Sequence, residues 1–206
     1  MARYIGPVCR ICRGEGRKLF LKGERCNTGK CSVVRRSYKA GQHGQKRQKL
    51  SEYGIRLKEK QKLRKIYGIL EKQFRRYYEM ASRKKGVTGE KLLQLLETRL
   101  DNVVYKIGFA SSRSQARQIV KHGHIKVNNR RVDIPSFLLK TGDKVQVSEK
   151  SQEFIRRLME NISFTSVPSW VSIDKNELSC QILDLPKREE IGLDVQENLV
   201  IEFYSR

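Results

Sequence analysis

The spacing of apolar residues predicts a helical segment in the middle of the chain. From residue 51 onward, apolar side chains recur at intervals of three and four, which is the period of one face of an α-helix. Lysine and arginine mostly occupy the other sides of this helix. The residues that define its apolar face are Leu63, Ile66, Tyr67, Leu70, Phe74, Tyr77, Tyr78 and Ala81. We expect this face to form a core.

Two shorter helices are predicted next. Gly86 interrupts the pattern, and Thr88 is a suitable cap for a helix through KLLQLLETRL. Asp101 is placed to cap another short helix, DNVVYKIGF. The apolar residues here are dense enough to indicate a packed core.

The pattern changes between residues 111 and 148. Ser112 followed by Gln115 has the form of a capping box, and Gly123 stands where a glycine commonly ends a helix. Ile125 and Val127 then alternate with polar residues up to an Asn-Asn pair that suits a tight hairpin turn. TGDKVQV supplies a further turn and strand.

The last quarter of the chain predicts a mixture of elements. SQEFIRRLMENI has the period of a short helix, and SWVSI and LSCQILDL have the character of strands. NLVIEFYSR predicts a final strand or an extended tail. With the preceding helices, these strands place the chain in the α+β class.

Residues 32–50 have no hydrophobic period. The segment, SVVRRSYKAGQHGQKRQKL, is basic and too poor in apolar residues to order itself. We therefore predict an extended arm that becomes ordered against a partner. Its predicted contacts are Arg35, Arg36, Lys39, Lys46, Arg47 and Lys49.

Charge narrows the class of partner. The 206 residues include 44 Lys and Arg against 22 Asp and Glu, a net charge of +22. Residues 1–100 hold 28 of the basic and 8 of the acidic residues. So much like charge repels itself in an isolated protein. Binding to a polyanion offsets this repulsion and is favoured by the release of counterions. Nucleic acid is the expected partner, and the sequence contains no apolar run or amphipathic helix typical of a membrane protein.

Four of the five cysteines lie in the segment CRICRGEGRKLFLKGERCNTGKC. They are Cys9, Cys12, Cys26 and Cys31. Two close pairs joined by a loop are the spacing of a four-thiolate metal site, and the basic neighbours are expected to lower the thiol pKa values. The start of the chain has no signal-peptide core, so we expect a reducing, cytosolic compartment in which clustered cysteines bind metal. Structural zinc is favoured, and a four-iron four-sulfur cluster and metal-free or redox thiols are the alternatives.

A second basic group is predicted on residues 111–132. Arg113, Arg117 and Lys121 recur every four residues and should form a ridge along one helix. Other candidates for contact with phosphate, sugar or base edges are His122, His124, Lys126, Asn128, Asn129, Arg130 and Arg131. A solvated polar face is the structural alternative.

No catalytic signature accompanies these basic groups. The sequence contains no GxxxxGK[ST], HExxH or GxSxG motif, and its three histidines lie in basic surroundings. We predict a non-enzymatic protein without a small-molecule substrate.

The stretch RLDNVVYKIGFASSRSQARQIVKHGHIKVNNRRVDIPS resembles the RNA-binding module named after the fourth protein of the small ribosomal subunit. The cysteine segment, the arm RRSYKAGQHGQKRQKLSEYGIRLKEKQKLRKIYG and the ending IEFYSR resemble the bacterial form of that ribosomal protein family. The resemblance covers essentially residues 1–206. His43, Arg56, Lys58 and Lys62, which lie in the arm and in the helix after it, are therefore added to the predicted RNA contacts.

The resemblance implies an organisation and a function. Residues 1–45 would form a cysteine-rich, metal-binding extension and arm, residues 46–96 a mostly helical domain completed by about 186–206, and residues 97–185 an inserted module with antiparallel strands. The family binds a helix junction in the 5′ domain of small-subunit ribosomal RNA and nucleates subunit assembly in the cytoplasm. Contact with the fifth small-subunit protein affects decoding accuracy, and messenger RNA passes nearby.

Two other functions are compatible with such a module. An RNA-modifying enzyme could use it as an anchor, although the segment after the module is short for a catalytic domain. A free-standing RNA chaperone would bind weakly and without regard to RNA structure. Zinc and RNA binding are both expected under the ribosomal interpretation.

Overall fold

A computed structural model of the chain describes residues 3–46, 49–160, 162 and 167–205. Arg47, one of the predicted RNA contacts, lies outside these residues. The helices are α1 Val8–Glu15, α2 Ser32–Arg35, α3 Glu52–Ile66, α4 Glu71–Ser82, α5 Thr88–Glu97, α6 Leu100–Lys106, α7 Arg113–Lys121, α8 Gln152–Glu160 and α9 Glu197–Tyr204. The strands are β1 Ile125–Val127, β2 Arg130–Arg131, β3 Lys144–Val147, β4 Val171–Asp174 and β5 Ser179–Ile182. Short 3₁₀ helices cover Gly23–Cys26, Glu149–Ser151 and Arg188–Ile191.

The chain divides into two compact units. The first, called the helical unit here, contains residues 1–92 and 193–206, and the second, the sheet unit, contains residues 93–192. The described residues of the helical unit are helical or irregular, and the five strands lie in the sheet unit. The mixed helical and antiparallel fold agrees with the α+β prediction.

The single helix face predicted from Leu63 to Ala81 is divided between α3 and α4. Gly68 has a φ of 63°, a left-handed conformation that glycine adopts without a Cβ clash, and it ends α3. Leu63 and Phe74, on opposite sides of this break, are both fully buried. The prediction that these two side chains are buried is confirmed. The prediction that they lie on one continuous helix was wrong.

The C-terminal segment is helix α9, so the prediction of a strand or extended tail was wrong. Its apolar residues pack on α3, where Val200 is fully buried. Lys60 of α3 is 3% exposed, and its ammonium lies 4.7 Å from the centre of the Phe203 ring. The Tyr204 hydroxyl donates to Glu71 at 2.5 Å. Tertiary contacts of this kind override the strand preference of a short apolar run.

Glu71 carries the charge that balances this cluster. Its carboxylate accepts a hydrogen bond from Lys60 at 2.6 Å. Burial alone would raise the pKa of the Glu71 carboxyl, but the hydrogen bonds from Lys60 and Tyr204, together with the charges of Lys60 and Arg64, lower it overall. The ion pair therefore stabilises the helical unit above the ordinary glutamate pKa, and this stabilisation is lost as the pH falls through the lowered value.

The sheet unit contains one antiparallel sheet with the order β2-β1-β3-β5-β4. In its centre Ile125 pairs with Val147, and Val145 pairs with Cys180. Asn128 and Asn129 have φ values of 48° and 64° and form the predicted tight turn between β1 and β2. The strands predicted in SWVSI and LSCQILDL are confirmed as β4 and β5.

The predicted Ser112 cap is confirmed, but the reciprocal half of the predicted capping box is not formed as expected. The Ser112 hydroxyl accepts a hydrogen bond from the Gln115 amide at 3.3 Å at the start of α7. Gln115 completes the cap through Ser111, whose amide and hydroxyl donate to its side chain, rather than through Ser112. Gly123, with a φ of 75°, follows the end of α7.

Among the residues that the structure describes, no helix is long and apolar enough to cross a membrane.

Candidate nucleic-acid interface

The basic arm is partly ordered by contacts within the helical unit. Arg13 of α1 donates to the carbonyl oxygens of Tyr38 at 2.8 Å and Lys39 at 3.2 Å. Its guanidinium also lies 5.3 Å from the centre of the Tyr38 ring. The arm begins as α2 and turns between Gly41 and Lys46, so the prediction of a uniformly extended arm was wrong.

The arm nevertheless presents its cations to solvent. Four of these side chains form no ion pair with another described residue: Arg35, Arg36, Lys46 and Lys49. The described candidates of the arm that are exposed are Arg35, Arg36, Lys39, His43, Lys46 and Lys49. We call the five lysines and arginines among them, without His43, the arm cations. Exposed cations of this kind can bind successive phosphates without reading sequence.

The three candidates on α3 differ from the arm cations. Lys62 is 3% exposed, and its ammonium lies 2.7 Å from a Glu59 carboxylate oxygen, so its charge is not presented at the surface as predicted. Arg56 pairs with Glu202 at 2.7 Å and Glu52 at 3.3 Å. Lys58 is half-buried. Helical spacing alone does not distinguish a solvated cation from one that pairs across a packed face.

Another basic group was missed by the sequence analysis. Arg83, Lys84 and Lys85 follow the end of α4 and are all exposed, and none forms an ion pair within the described residues. Three consecutive basic residues before Gly86 were the available signal. Lys72 and Arg76 are also exposed on α4.

The ridge predicted along α7 is mostly internal. Arg99 is 1% exposed and donates two hydrogen bonds to Asp101, from Nε at 3.0 Å and from a terminal nitrogen at 2.7 Å. Arg117 donates to the same carboxylate at 3.2 Å. Arg113 donates to Asn102 at 2.8 Å. The two ridge arginines thus join α7 to α6, and the prediction that they line the surface is corrected accordingly.

Asp101 therefore has a different position from the one predicted. It does not cap α6, because Arg99 is the N-cap residue and makes no side-chain cap. The Asp101 side chain is instead buried between Arg99 and Arg117. A carboxylate that accepts from two guanidiniums compensates the burial of their charge.

The remaining candidates of the sheet unit lie at the end of α7 and on β2. Lys121, His122, Arg130 and Arg131 are exposed. A terminal nitrogen of Arg131 donates to the His122 carbonyl oxygen at 3.3 Å. The guanidinium lies directly over Gly123, where an added Cβ would come within 2.1 Å of the Arg131 Nε. The absence of a Cβ at Gly123 thus lets the Arg131 guanidinium approach the backbone closely, next to His122.

Three polar candidates have partners within the sheet unit. The Lys126 ammonium lies 3.1 Å from Glu149. The Asn128 side chain donates to Asp143 and accepts from the Lys144 amide, so it holds the hairpin turn against the neighbouring loop. Nδ1 of His124 lies 2.7 Å from the Ser151 hydroxyl. Asn129 is exposed at the tip of the turn.

The four clustered cysteines line one small pocket in the helical unit. Cys9 and Cys12 are one turn apart on α1, Cys26 ends a 3₁₀ helix, and Cys31 precedes α2. The Lys22 amide donates to the Cys26 sulfur at 3.4 Å. Burial raises the pKa of the Cys12 thiol, and the charges of the other three cysteines add to this effect. The expectation that basic neighbours lower this pKa was therefore wrong.

The arrangement of these thiols is not that of a formed metal centre. In residues 3–46, 49–160, 162 and 167–205, no group of three or more His, Cys, Asp or Glu side chains is placed to hold a metal ion. The prediction of a metal-binding extension is not supported by this geometry. Cys180 lies apart in the core of the sheet unit, where burial raises the pKa of its thiol to about 12.

Exposed cations on a helical unit, and on the helix and hairpin of a small sheet unit, are the features of a nucleic-acid-binding protein. Comparison with known proteins specifies the family. Residues 3–97 match the family described as the ribosomal protein S4/S9 N-terminal domain, and residues 98–145 match the S4 domain. This chain belongs to the ribosomal protein S4 family.

Similar proteins match the whole chain. The small ribosomal subunit protein uS4 of Heliobacterium modesticaldum is 56% identical over 208 residues, and that of Acetivibrio thermocellus is 56% identical over 209. The protein uS4A of Symbiobacterium thermophilum is 59% identical over 207 residues. Each alignment covers 100% of both chains. These relatives are ribosomal proteins, which confirms the resemblance seen in the sequence and the non-enzymatic interpretation.

Proposed function

We propose that this chain is a structural component of the small ribosomal subunit in the cytoplasm and that it binds the 5′ domain of small-subunit ribosomal RNA at a helix junction. The observation that carries this proposal is the exposure of the arm cations, of which Arg35, Arg36, Lys46 and Lys49 have no carboxylate partner in the described ranges. A folded junction brings phosphates close together. It therefore suits cations that are spread over a surface and recognise shape.

The two units can supply contacts of different kinds. In the helical unit the arm cations, together with Arg83, Lys84 and Lys85, offer charge alone. In the sheet unit Arg131 is held over Gly123, so its guanidinium is oriented before RNA binds. Oriented donors bind at a lower entropic cost than mobile ones. An early-binding assembly protein would use both kinds of contact to hold the junction.

Hydroxyl-radical footprinting on a transcript of the 5′ domain tests this function. We expect protection of a compact set of nucleotides around one helix junction. Diffuse protection over the transcript would favour an RNA chaperone instead. Conversion of uridines in the transcript by the purified protein would favour an RNA-modifying enzyme.

Two further partners follow from the family resemblance. The chain would contact the fifth small-subunit protein and would lie beside the channel through which messenger RNA enters the subunit. Exposed apolar side chains of the helical unit, among them Tyr53 at 55% and Ile55 at 43%, offer surface for a protein neighbour. Through the contact with the fifth protein, the chain would also affect decoding accuracy.

We also propose that the four clustered cysteines bind a structural metal, zinc in preference to a four-iron four-sulfur cluster. Their thiols line one pocket, so a bound metal would join three segments that already face one another. The Lys22 amide at Cys26 is a donor of the kind that stabilises a thiolate ligand. Zinc would supply cross-links to a segment with few core residues.

Metal analysis combined with a visible spectrum should show about one zinc per chain and no visible absorption. Replacing Cys12 by serine should abolish zinc retention and increase hydrogen exchange in α1, because the metal holds its segments together. The matched control is Cys180→Ala, which removes a buried thiol outside the cluster and should leave zinc content unchanged. If the analysis finds iron and sulfide, the site holds an iron–sulfur cluster and not zinc. A metal-free protein would contradict both assignments.

A further inference from the structure

Three aromatic rings form a continuous row on the sheet unit. The Phe154 side chain on α8 is 48% exposed, and its ring centre lies 5.6 Å from that of His124. The His124 ring lies 6.0 Å from the His122 ring. These separations are typical of interacting aromatic pairs. We call Phe154, His124 and His122 the aromatic row.

The central ring of the aromatic row is held in a fixed orientation. Nδ1 of His124 lies 2.7 Å from the Ser151 hydroxyl, and Ser151 is only 7% exposed. The His124 carbonyl oxygen accepts a hydrogen bond from the Ser148 amide at 2.8 Å. Both side chain and backbone are therefore anchored to the segment that leads into α8. A ring fixed in this way can receive a ligand without first losing rotational freedom.

The chemistry of His124 is that of a neutral aromatic ring. Burial lowers its pKa, and the charges of His122 and Arg131 lower it further. Its imidazole is therefore uncharged at neutral pH. An uncharged ring beside a phenyl ring offers a face for stacking and does not serve as a phosphate-binding cation.

Cations border the aromatic row. Arg131 is exposed and hydrogen-bonded to the His122 carbonyl oxygen, and Lys121 is 54% exposed on the same end of α7. Two acidic groups lie near these cations: Asp133 is 3.8 Å from the Lys121 ammonium, and Glu149 pairs with Lys126 at 3.1 Å. Aromatic faces flanked by cations are the features that bind unpaired nucleotides, since the rings stack on bases and the cations hold the backbone.

We propose that the aromatic row is a stacking platform for an unpaired nucleobase of the bound RNA. Arg131 and Lys121 hold the phosphates next to that nucleotide. The proposal rests on the RNA-binding function proposed above and extends its surface, because Phe154 and Ser151 lie beyond the residues 98–145 that match the S4 domain. A phenyl side chain has no charge or hydrogen bond to offer a phosphate, so Phe154 would contribute to RNA binding by stacking.

The test compares Phe154→Leu with the unchanged protein in binding to the 5′-domain transcript. Leucine keeps apolar bulk and removes the aromatic face, so Kd should rise about tenfold. Stacking releases no counterions, and the slope of log Kd against log salt should therefore stay unchanged. Phe154→Tyr keeps the ring and should bind like the unchanged protein.

Phe137→Leu is the matched control, since Phe137 is a 37% exposed phenylalanine of the same unit outside the aromatic row. It should leave Kd unchanged. If Phe154→Leu binds like the unchanged protein, or if Phe154→Tyr weakens binding as much as leucine does, the stacking proposal is overturned, and the row is then a surface for a protein neighbour. Failure of the unchanged protein to bind the transcript would instead overturn the RNA-binding function itself.

Discussion

Replacing Asp101 by alanine should lower the free energy of unfolding of the sheet unit by about 3–5 kcal/mol. The Asp101 side chain is 6% exposed and accepts hydrogen bonds from Arg99 and Arg117. Alanine would leave the Arg99 guanidinium buried without its bidentate partner, which costs more than the pair itself contributes. Because whole domains are stable by only about 5–15 kcal/mol, this loss is a large fraction of the stability of the unit.

Trp170 provides the measurement. It is the only tryptophan of the chain, and it is 4% exposed in the core of the sheet unit, so its fluorescence during a urea titration follows that unit alone. The matched control is Asp133→Ala. Asp133 is 57% exposed and lies 3.8 Å from Lys121, and its removal should change the free energy of unfolding by less than about 0.5 kcal/mol. A loss below about 1 kcal/mol for Asp101→Ala would show that the network is not the anchor of α6 and α7.

Removing the unpaired arm cations should weaken binding to the 5′-domain transcript by roughly a hundredfold to a thousandfold at about 0.1 M salt. The variant carries alanine in place of Arg35, Arg36, Lys46 and Lys49. Each lost phosphate contact removes about 0.7–0.9 from the slope of log affinity against log salt, so four contacts reduce its steepness by about 3. Filter binding or fluorescence anisotropy at several salt concentrations measures both quantities.

A charge-matched control separates contact from net charge. Lys140, Lys150, Lys175 and Lys187 are exposed lysines of the sheet unit outside the predicted contacts, and their replacement by alanine removes the same charge. This control variant should retain most of the slope of log affinity against log salt. Equal losses in both variants would mean that the arm acts only through the overall field of the protein.

Features that depend on a few neighbouring residues were predictable from the sequence. The Asn-Asn turn, the Ser112 cap and Gly123 each follow from the backbone preference or hydrogen-bonding capacity of the residues themselves. The apolar face through Leu63 and Phe74 was also recognisable, because burial follows the helical period.

Features that depend on distant partners were not predictable in this way. Arg117 has the spacing of a surface cation, yet it pairs with Asp101 of another helix. The C-terminal segment has the composition of a strand and becomes α9 because it packs on α3. A sequence pattern gives the chemistry of a side chain, whereas the carboxylate that neutralises it is found only in the fold.

The aromatic row illustrates the same limit for the candidate interface. His122 and His124 were identified from their basic surroundings, but Phe154 is thirty positions further along the chain than His124 and joins them only through packing of α8. No motif in that helix indicates a function. The proposed RNA surface of the sheet unit is therefore larger than the motif that indicated it.

The dependence of RNA affinity on salt concentration tests the central claim most directly. If the exposed cations of both units neutralise the phosphates of a folded junction, affinity for the 5′-domain transcript should fall roughly a thousandfold or more between about 50 mM and 200 mM salt. Affinity that stays constant over this range would contradict the account.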